Sequence, residues 1–423
     1  MASGWQRETE VLVVGAGPVG LLTALSLSEE GVKVQVVDEG PRPTERSYAL
    51  ALHSGSLGLL DDLDLAAPLI GQGQKIECCT FYEGSEIKAE ARFDATGADY
   101  PFVLVLPQSR LENALHERLE EKGVAVLWSH RLNRLQEEED RLRFEVERLQ
   151  REEGAGHGEW IVQERMTGNA LFVAGCDGHD SLVRRSVGIA FESMGEAKRF
   201  AVFEFAVDPV VEPQESCSPR QSVILWEGKW SVVWPMGRGR FRCGFQLDEP
   251  QRYSEPREKS RQALEVVFPT MGRRDLRRLI VERAPWFDHS VGDLLWSAVL
   301  RFERRLAQTF HRGRAVLAGD AAHLALPVGV QSMNSGLAEA RDLAGRLYRI
   351  LRQDADQSLL REYSRVHHQQ WKHILQEQPA GTQPPDRPLN WVQRHAAQVR
   401  DCLPASGLQL DQLMRLLSGS SQG

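Results

Sequence analysis

Residues 9–38 read TEVLVVGAGPVGLLTALSLSEEGVKVQVVD. Thr9 to Val14 is an apolar run of strand length, Pro18 to Glu30 has a helical pattern, and Lys33 to Asp38 is again strand-like, which predicts a βαβ unit opening a parallel sheet. Gly15, Gly17 and Gly20 form GxGxxG between the first strand and the helix. The first glycine permits a tight turn, the second lets a pyrophosphate approach the backbone, and the third lets helix and strand pack closely. An anion then rests on the free N–H groups of the helix start, which makes Gly15, Ala16, Gly17, Pro18, Val19 and Gly20 the candidate cradle. Asp38, followed by Glu39, ends the second strand near the usual offset for a carboxylate that accepts hydrogen bonds from a ribose. A turn whose glycines serve packing alone is the competing reading. The turn does not distinguish NAD, NADP and FAD.

The 423 residues suggest two to three lobes, and 42% hydrophobic with 26% charged residues matches a globular chain with a sizeable core. With 51 Lys+Arg against 59 Asp+Glu, the formal charge of −8 offers no basic field to a phosphate backbone, so nucleic acid is not an expected partner. The six cysteines show no CxxC spacing and read as reduced thiols of a cytoplasmic protein. The opening residues resemble no export signal, and no apolar stretch has the length of a membrane span.

Further along, Ser109 to Lys122 reads as an amphipathic helix leading into the strand Val124 to Trp128, and 131–174 as hairpin strands around the acidic run 137–141 and the turn-rich 151–158. Residues 190–300 hold aromatic-rich alternating segments, the candidate second domain. A strand at Arg314 to Ala318 precedes a helical pattern from Asn334 to Leu351; Pro379 to Pro388 interrupts regular structure before a last helix near 390–400.

Two further segments, FVAGCDGHDSLVRRSVGI (172–189) and RAVLAGDAAHLALPVGVQSMNSGLAEARDL (314–343), complete the pattern. Together with the glycine turn they resemble the three fingerprints of the FAD-dependent aromatic hydroxylases, single-component flavoprotein monooxygenases related to p-hydroxybenzoate hydroxylase. The likeness runs from about residue 9 to 350. It implies an α/β fold: a Rossmann-like FAD-binding domain of the glutathione-reductase type (1–75, 106–189 and 290–350), an inserted α+β substrate domain on a mostly antiparallel sheet (76–105 and 190–289), and a C-terminal helical extension (351–423). The extension is expected to cover the FAD domain and is a candidate contact of a homodimer.

The resemblance also implies roles. Asp320 matches the aspartate that accepts hydrogen bonds from the ribityl chain of FAD, and an N-cap role is compatible with it. Asp177 matches the DG motif serving FAD and pyridine nucleotide, with Arg184 as a nearby cation. Gln108 and Arg46 match residues near the ribityl and phosphate region. Pro327 and Gly329 form a close-approach loop, and Met333 and Asn334 open a helix whose N–H groups suit the charge of reduced flavin. Val330 and Ser332 replace two family glycines. NAD(P)H would reduce FAD, O2 would add, and the resulting flavin hydroperoxide would hydroxylate an aromatic or polycyclic small molecule. No catalytic side chain is assigned; His53, Tyr82 and Tyr100 are candidates to assist deprotonation of a phenol. Trp226, Trp230 and Trp234 read as core more readily than as pocket lining. His367, His368 and His373 read as a solvated face and not a ligand set. Competing functions are a FAD-dependent reductase or halogenase of the same fold, or a binding protein on a flavoprotein-like scaffold.

Overall fold

The computed structural model describes residues 5–41, 51–151, 160–207, 219–248, 271–287, 289–375 and 389–419. Its first sheet has, among these residues, eight strands. The fully buried run Val11–Val13 forms the heart of the strand Glu8–Val14, which pairs in parallel with Trp160–Gly175 on one side and Val34–Asp38 on the other. Val126–Trp128 and Ala315–Leu317 extend the parallel core outward. Such a sheet must be covered on both faces, which accounts for its unbroken Val/Leu runs. One cover is the helix Pro18–Glu29, buried nearly all round against the helices Gln108–Glu121 and Gln331–Arg352.

The second sheet has seven strands in the order Val291–Phe302, Lys198–Val207, Arg240–Leu247, Lys229–Gly237, Arg220–Trp226, Cys78–Glu83, Glu86–Arg92, antiparallel except between Arg220–Trp226 and Cys78–Glu83. Strand alternation gives it two apolar faces. Phe203, Phe205 and Phe245 pack with Leu276 and Ile280 of the helix Arg273–Arg283. On the other face Phe81, Val223, Trp230 and Trp234 join a cluster with Trp391, Leu403, Leu410 and Met414 of the C-terminal segment.

The acidic run 137–141 does turn between two antiparallel strands, His130–Glu137 and Leu142–Arg151. Two expectations need correction. The helix expected from Asn334 begins at Gln331, and the single helix near 390–400 is two short pieces, Trp391–Arg394 and Ala396–Cys402, followed by an unforeseen helix, Gly407–Gly419. That last helix buries Leu410, Leu413, Met414 and Leu417, the three- and four-residue spacing of an amphipathic helix. The stretch Pro379–Pro388 lies outside the described residues.

Candidate cofactor site

The three glycines of the turn do different work. Gly15 sits at φ +99°, and a Cβ on it would lie 2.2 Å from the Cys176 carbonyl oxygen; a Cβ on Gly20 would lie 1.9 Å from the Gly15 oxygen. Packing within the chain therefore requires both. Gly17, at φ −72° and ψ −179°, has a conformation open to any residue, and a Cβ there would meet no atom within 4 Å. Neither packing nor backbone strain explains that glycine. A group approaching the helix start from outside the chain does, and the free N–H groups there suit a pyrophosphate.

Asp38 braces this turn: Ala16 N donates to its Oδ2 at 2.6 Å and Gly40 N to its Oδ1 at 2.7 Å. Burial raises the carboxyl's pKa, and the two backbone donors pull it back. Each oxygen retains a lone pair, so bracing and accepting from a ribose are compatible. Glu39 is exposed beside it.

Parallel pairing brings the other two fingerprints to the same strand ends. Cys176 N donates to Val14 O, which seats Asp177 next to Gly15. Asp177 accepts from Ser181 Oγ at 2.6 Å and from Leu182 N and Val183 N at 2.7 and 3.1 Å, capping the short helix Leu182–Ser186; burial raises its pKa against these bonds. Arg184 is buried and makes no ion pair among the described residues. It donates to Ala321 O and His179 O, both at 2.8 Å, and stacks on Phe191, so it ties the second fingerprint to the third. Burial lowers its pKa to about 10. Gly319, at φ +62°, and Gly336 both close on Val19, where a Cβ would come within 2.9 and 2.7 Å of the valine side chain. Asp320 points to solvent at the carboxyl end of Ala315–Leu317, the place where open α/β sheets bind ligands. Gln108 begins its helix and donates to the buried Glu112 at 2.7 Å. Arg46 lies outside the described residues.

The loop from Pro327 to Asn334 departs from expectation. A Cβ on Gly329 would lie 2.6 Å from Asp401 O and 2.8 Å from Leu403 O, so the close approach at this glycine is by the chain's own C-terminal segment. Gln331 Nε2 donates to Arg400 O at 2.7 Å, and Gln221 Nε2 reaches Val328 O at 3.3 Å. The Asn334 side chain is buried and spent: its Oδ1 accepts from His53 N and Ser56 Oγ, and its Nδ2 donates to Ala51 O and Val330 O, all within 2.9 Å. The N–H groups left for an electrostatic role at the helix start are those ahead of it, from Gln331 to the half-buried Met333. Val330 takes φ +50°, a left-handed conformation that β-branched residues rarely adopt.

The phenol-activating candidates do not assemble. His53 is fully buried; its Nε2 faces Gly329 O at 3.0 Å and so carries a proton, and its Nδ1 accepts from Ser406 Oγ at 3.3 Å. Burial drives its pKa to about 3, the bond to Gly329 notwithstanding. It is a neutral clamp. Tyr82 faces the opposite side of the second sheet, stacked on Trp286 at 4.6 Å, and Tyr100 lies near Asp61, edge-on to Phe102. Trp230 and Trp234 are core; Trp226 lies under Arg283 and Lys229. The histidine trio is no solvated face throughout, because His367 is buried against Asp342 at 2.8 Å while His373 is exposed.

The FAD binding domain family pattern matches residues 8–378. The chain belongs to the FAD-dependent aromatic hydroxylase family. Among members of this family, it is 28% identical over 357 residues to 6-methylpretetramide 4-monooxygenase of Streptomyces rimosus, covering 84% of this chain and 58% of that protein. It is 26% identical to para-nitrophenol 4-monooxygenase of Pseudomonas sp. strain WBC-3, covering 84% and 81%. The crystal structure of p-nitrophenol 4-monooxygenase from Pseudomonas putida DLL-E4 superposes with a TM-score of 0.71 at 22% identity, over 98% of this chain and 95% of that one. A ternary complex of aklavinone-11 hydroxylase with FAD and aklavinone gives 0.69 at 23% identity, over 93% and 71%.

Within this hydroxylase fold one polar cluster escaped the sequence reading. Glu339 is fully buried and accepts from Gly319 N at 2.8 Å, Trp371 Nε1 at 2.7 Å and His323 Nε2 at 2.8 Å. Burial opposes its ionisation, but His323, His367 and the Gly319 N–H together outweigh it and the carboxyl stays below its usual range. A signal was available: residue 339 falls among Gly336, Ala340 and Leu343 on the apolar face of its helix, where a lone carboxylate requires partners.

Proposed function

We propose that this chain is a FAD-dependent monooxygenase that uses NAD(P)H and O2 to hydroxylate an aromatic or polycyclic small molecule. The reading rests on one observation: three segments far apart in sequence meet at the carboxyl ends of adjacent parallel strands, with Gly15 against Cys176 and Gly319 against Val19. Bound FAD supplies the redox and oxygen chemistry. The chain's own residues bind and orient it. Residues Gly15 to Gly20 receive the pyrophosphate, Asp38 and Glu39 the ribose, and Gln108, Arg46, Asp177 and Asp320 the middle of the cofactor. The ring would lie along Pro327 and Met333, with the N–H groups of Gln331 to Met333 supplying the positive end of the helix. The first sheet with its helices is assigned to the FAD domain (1–75, 106–189 and 290–350) and the second sheet to the substrate domain (76–105 and 190–289), except that the strand Val291–Phe302, expected in the FAD domain, pairs into the second sheet.

The test is aerobic turnover of the purified protein with NADH or NADPH and a panel of phenols and polycyclic aromatics. A yellow protein whose product gains one oxygen atom from O2 supports the reading. A colourless preparation that takes up no FAD, or flavin reduction without oxygen insertion into any member of the panel, overturns it.

A further inference from the structure

We propose that the Ser332 hydroxyl is a positioning group for Asp320, and through it for the cofactor; this rests on the reading that Asp320 meets the ribityl chain of FAD. Asp320 sits in a one-turn 3-10 helix, Gly319–Ala321, with its side chain in solvent. Such a carboxylate is ordinarily free to rotate. Here Ser332 Oγ stands 2.7 Å from Asp320 Oδ1, the length of a charge-assisted O–H···O bond. The other neighbour of the hydroxyl, His323 Nδ1, is 3.5 Å away. The shorter distance assigns the hydroxyl proton to Asp320.

What makes this a fixed point is the structure behind the serine. His323 is fully buried, stacked on Trp371 with ring centroids 3.7 Å apart and planes 18° apart, and held through Nε2 by Glu339. Glu339 in turn holds Trp371 and the backbone N–H of Gly319, the residue preceding Asp320. The contacts close a ring: Glu339 fixes the backbone at 319, and Ser332 fixes the side chain at 320. Ser332 itself lies in the first turn of the helix Gln331–Arg352, anchored by Gln331 to Arg400 O and by Asn334 to Ala51 O. Asp320 Oδ2 is left to accept from ligand hydroxyls in one orientation, so less freedom is lost when FAD binds.

The experiment measures the FAD dissociation constant from the recovery of flavin fluorescence when the holoprotein is diluted, for wild type, Ser332→Ala, Ser332→Gly, Ser332→Thr and Asp320→Asn. One net hydrogen bond corresponds to roughly three- to tenfold weaker binding in Ser332→Ala and Ser332→Gly, with little change in melting temperature. Ser332→Thr keeps the hydroxyl and restores affinity to within roughly twofold. In the Asp320→Asn background, removing the hydroxyl weakens binding by a smaller factor than in wild type, which a purely structural serine would not show. Wild-type affinity in Ser332→Ala, or an undiminished effect in the Asp320→Asn background, overturns the proposal. Wild-type affinity in Asp320→Asn overturns instead the reading of Asp320 on which it rests.

Discussion

The turn at Gly15–Gly20 is held by backbone, and the loop at Pro327–Asn334 by side chains and carbonyls from distant parts of the chain. At the turn, the contacts that forbid a Cβ are the oxygens of Cys176 and Gly15, brought there by strand pairing and by the first turn of the helix. At the loop, the contacts come from His53, Gln221, Asp401 and Leu403, together with the Asn334 side chain that reaches back to Ala51. The lesson is that local backbone geometry restricts residue type and leaves a readable spacing, whereas tertiary clamps leave none.

The cluster beneath the loop carries the largest effect. Glu339→Gln leaves His323 buried beside an uncharged partner and is expected to cost about 3–5 kcal/mol, read by chemical denaturation. The pH dependence has a definite sign. The folded carboxyl titrates below its ordinary value of 4.5, so its contribution is complete above that value and is lost as pH falls through the folded pKa. The stability gap between wild type and Glu339→Gln should therefore be full near neutrality and shrink on acidification. A gap that grows below pH 4.5 would show that the carboxyl is not held ionised.

The turn itself offers a sharper test, because its glycines separate packing from ligand approach. Gly20→Ala places a methyl 1.9 Å from a backbone oxygen and should destabilise the protein by about 3 kcal/mol. Gly17→Ala meets no atom, so the fold should keep its melting temperature while FAD affinity falls roughly tenfold, about 1.4 kcal/mol. If Gly17→Ala retained full affinity, the turn would be a packing device after all.

At the loop, Gly329→Ala drives a methyl into the carbonyls of Asp401 and Leu403. It should cost about 2 kcal/mol and expose the segment 389–419 to limited proteolysis. Unchanged protection would mean that the segment is held mainly by its apolar contacts with the second sheet.

The same contrast explains what could be read beforehand. The strand, turn and helix at 8–29 were legible because apolar runs and glycine spacing act over a few residues. The buried side of the helix Ser358–Leu375 was legible in principle, since Leu360, Tyr363, His367 and Trp371 recur at three- and four-residue intervals, yet three clustered histidines suggested solvent instead. The neutral clamp at His53 was not legible. Its partners Gly329 and Ser406 are 276 and 353 residues away, and nothing local distinguishes it from an acid–base histidine.

Val330 tests the loop at the smallest scale, by the sign of a difference. At an ordinary position alanine is more stable than glycine by about 0.5–1 kcal/mol, because glycine loses more backbone freedom on folding. Val330 stands at φ +50°, where a Cβ crowds the following carbonyl at a cost of about 1–2 kcal/mol. Val330→Ala and Val330→Gly both forfeit the valine's partial burial, so the difference between them isolates the Cβ. Subtracting the entropy term from the strain term leaves glycine ahead by up to about 1.5 kcal/mol, a reversal of the usual order, read as a melting temperature higher in Val330→Gly than in Val330→Ala. The usual order, with alanine the more stable, would show that the clamps on this loop do not hold residue 330 in the left-handed region in solution.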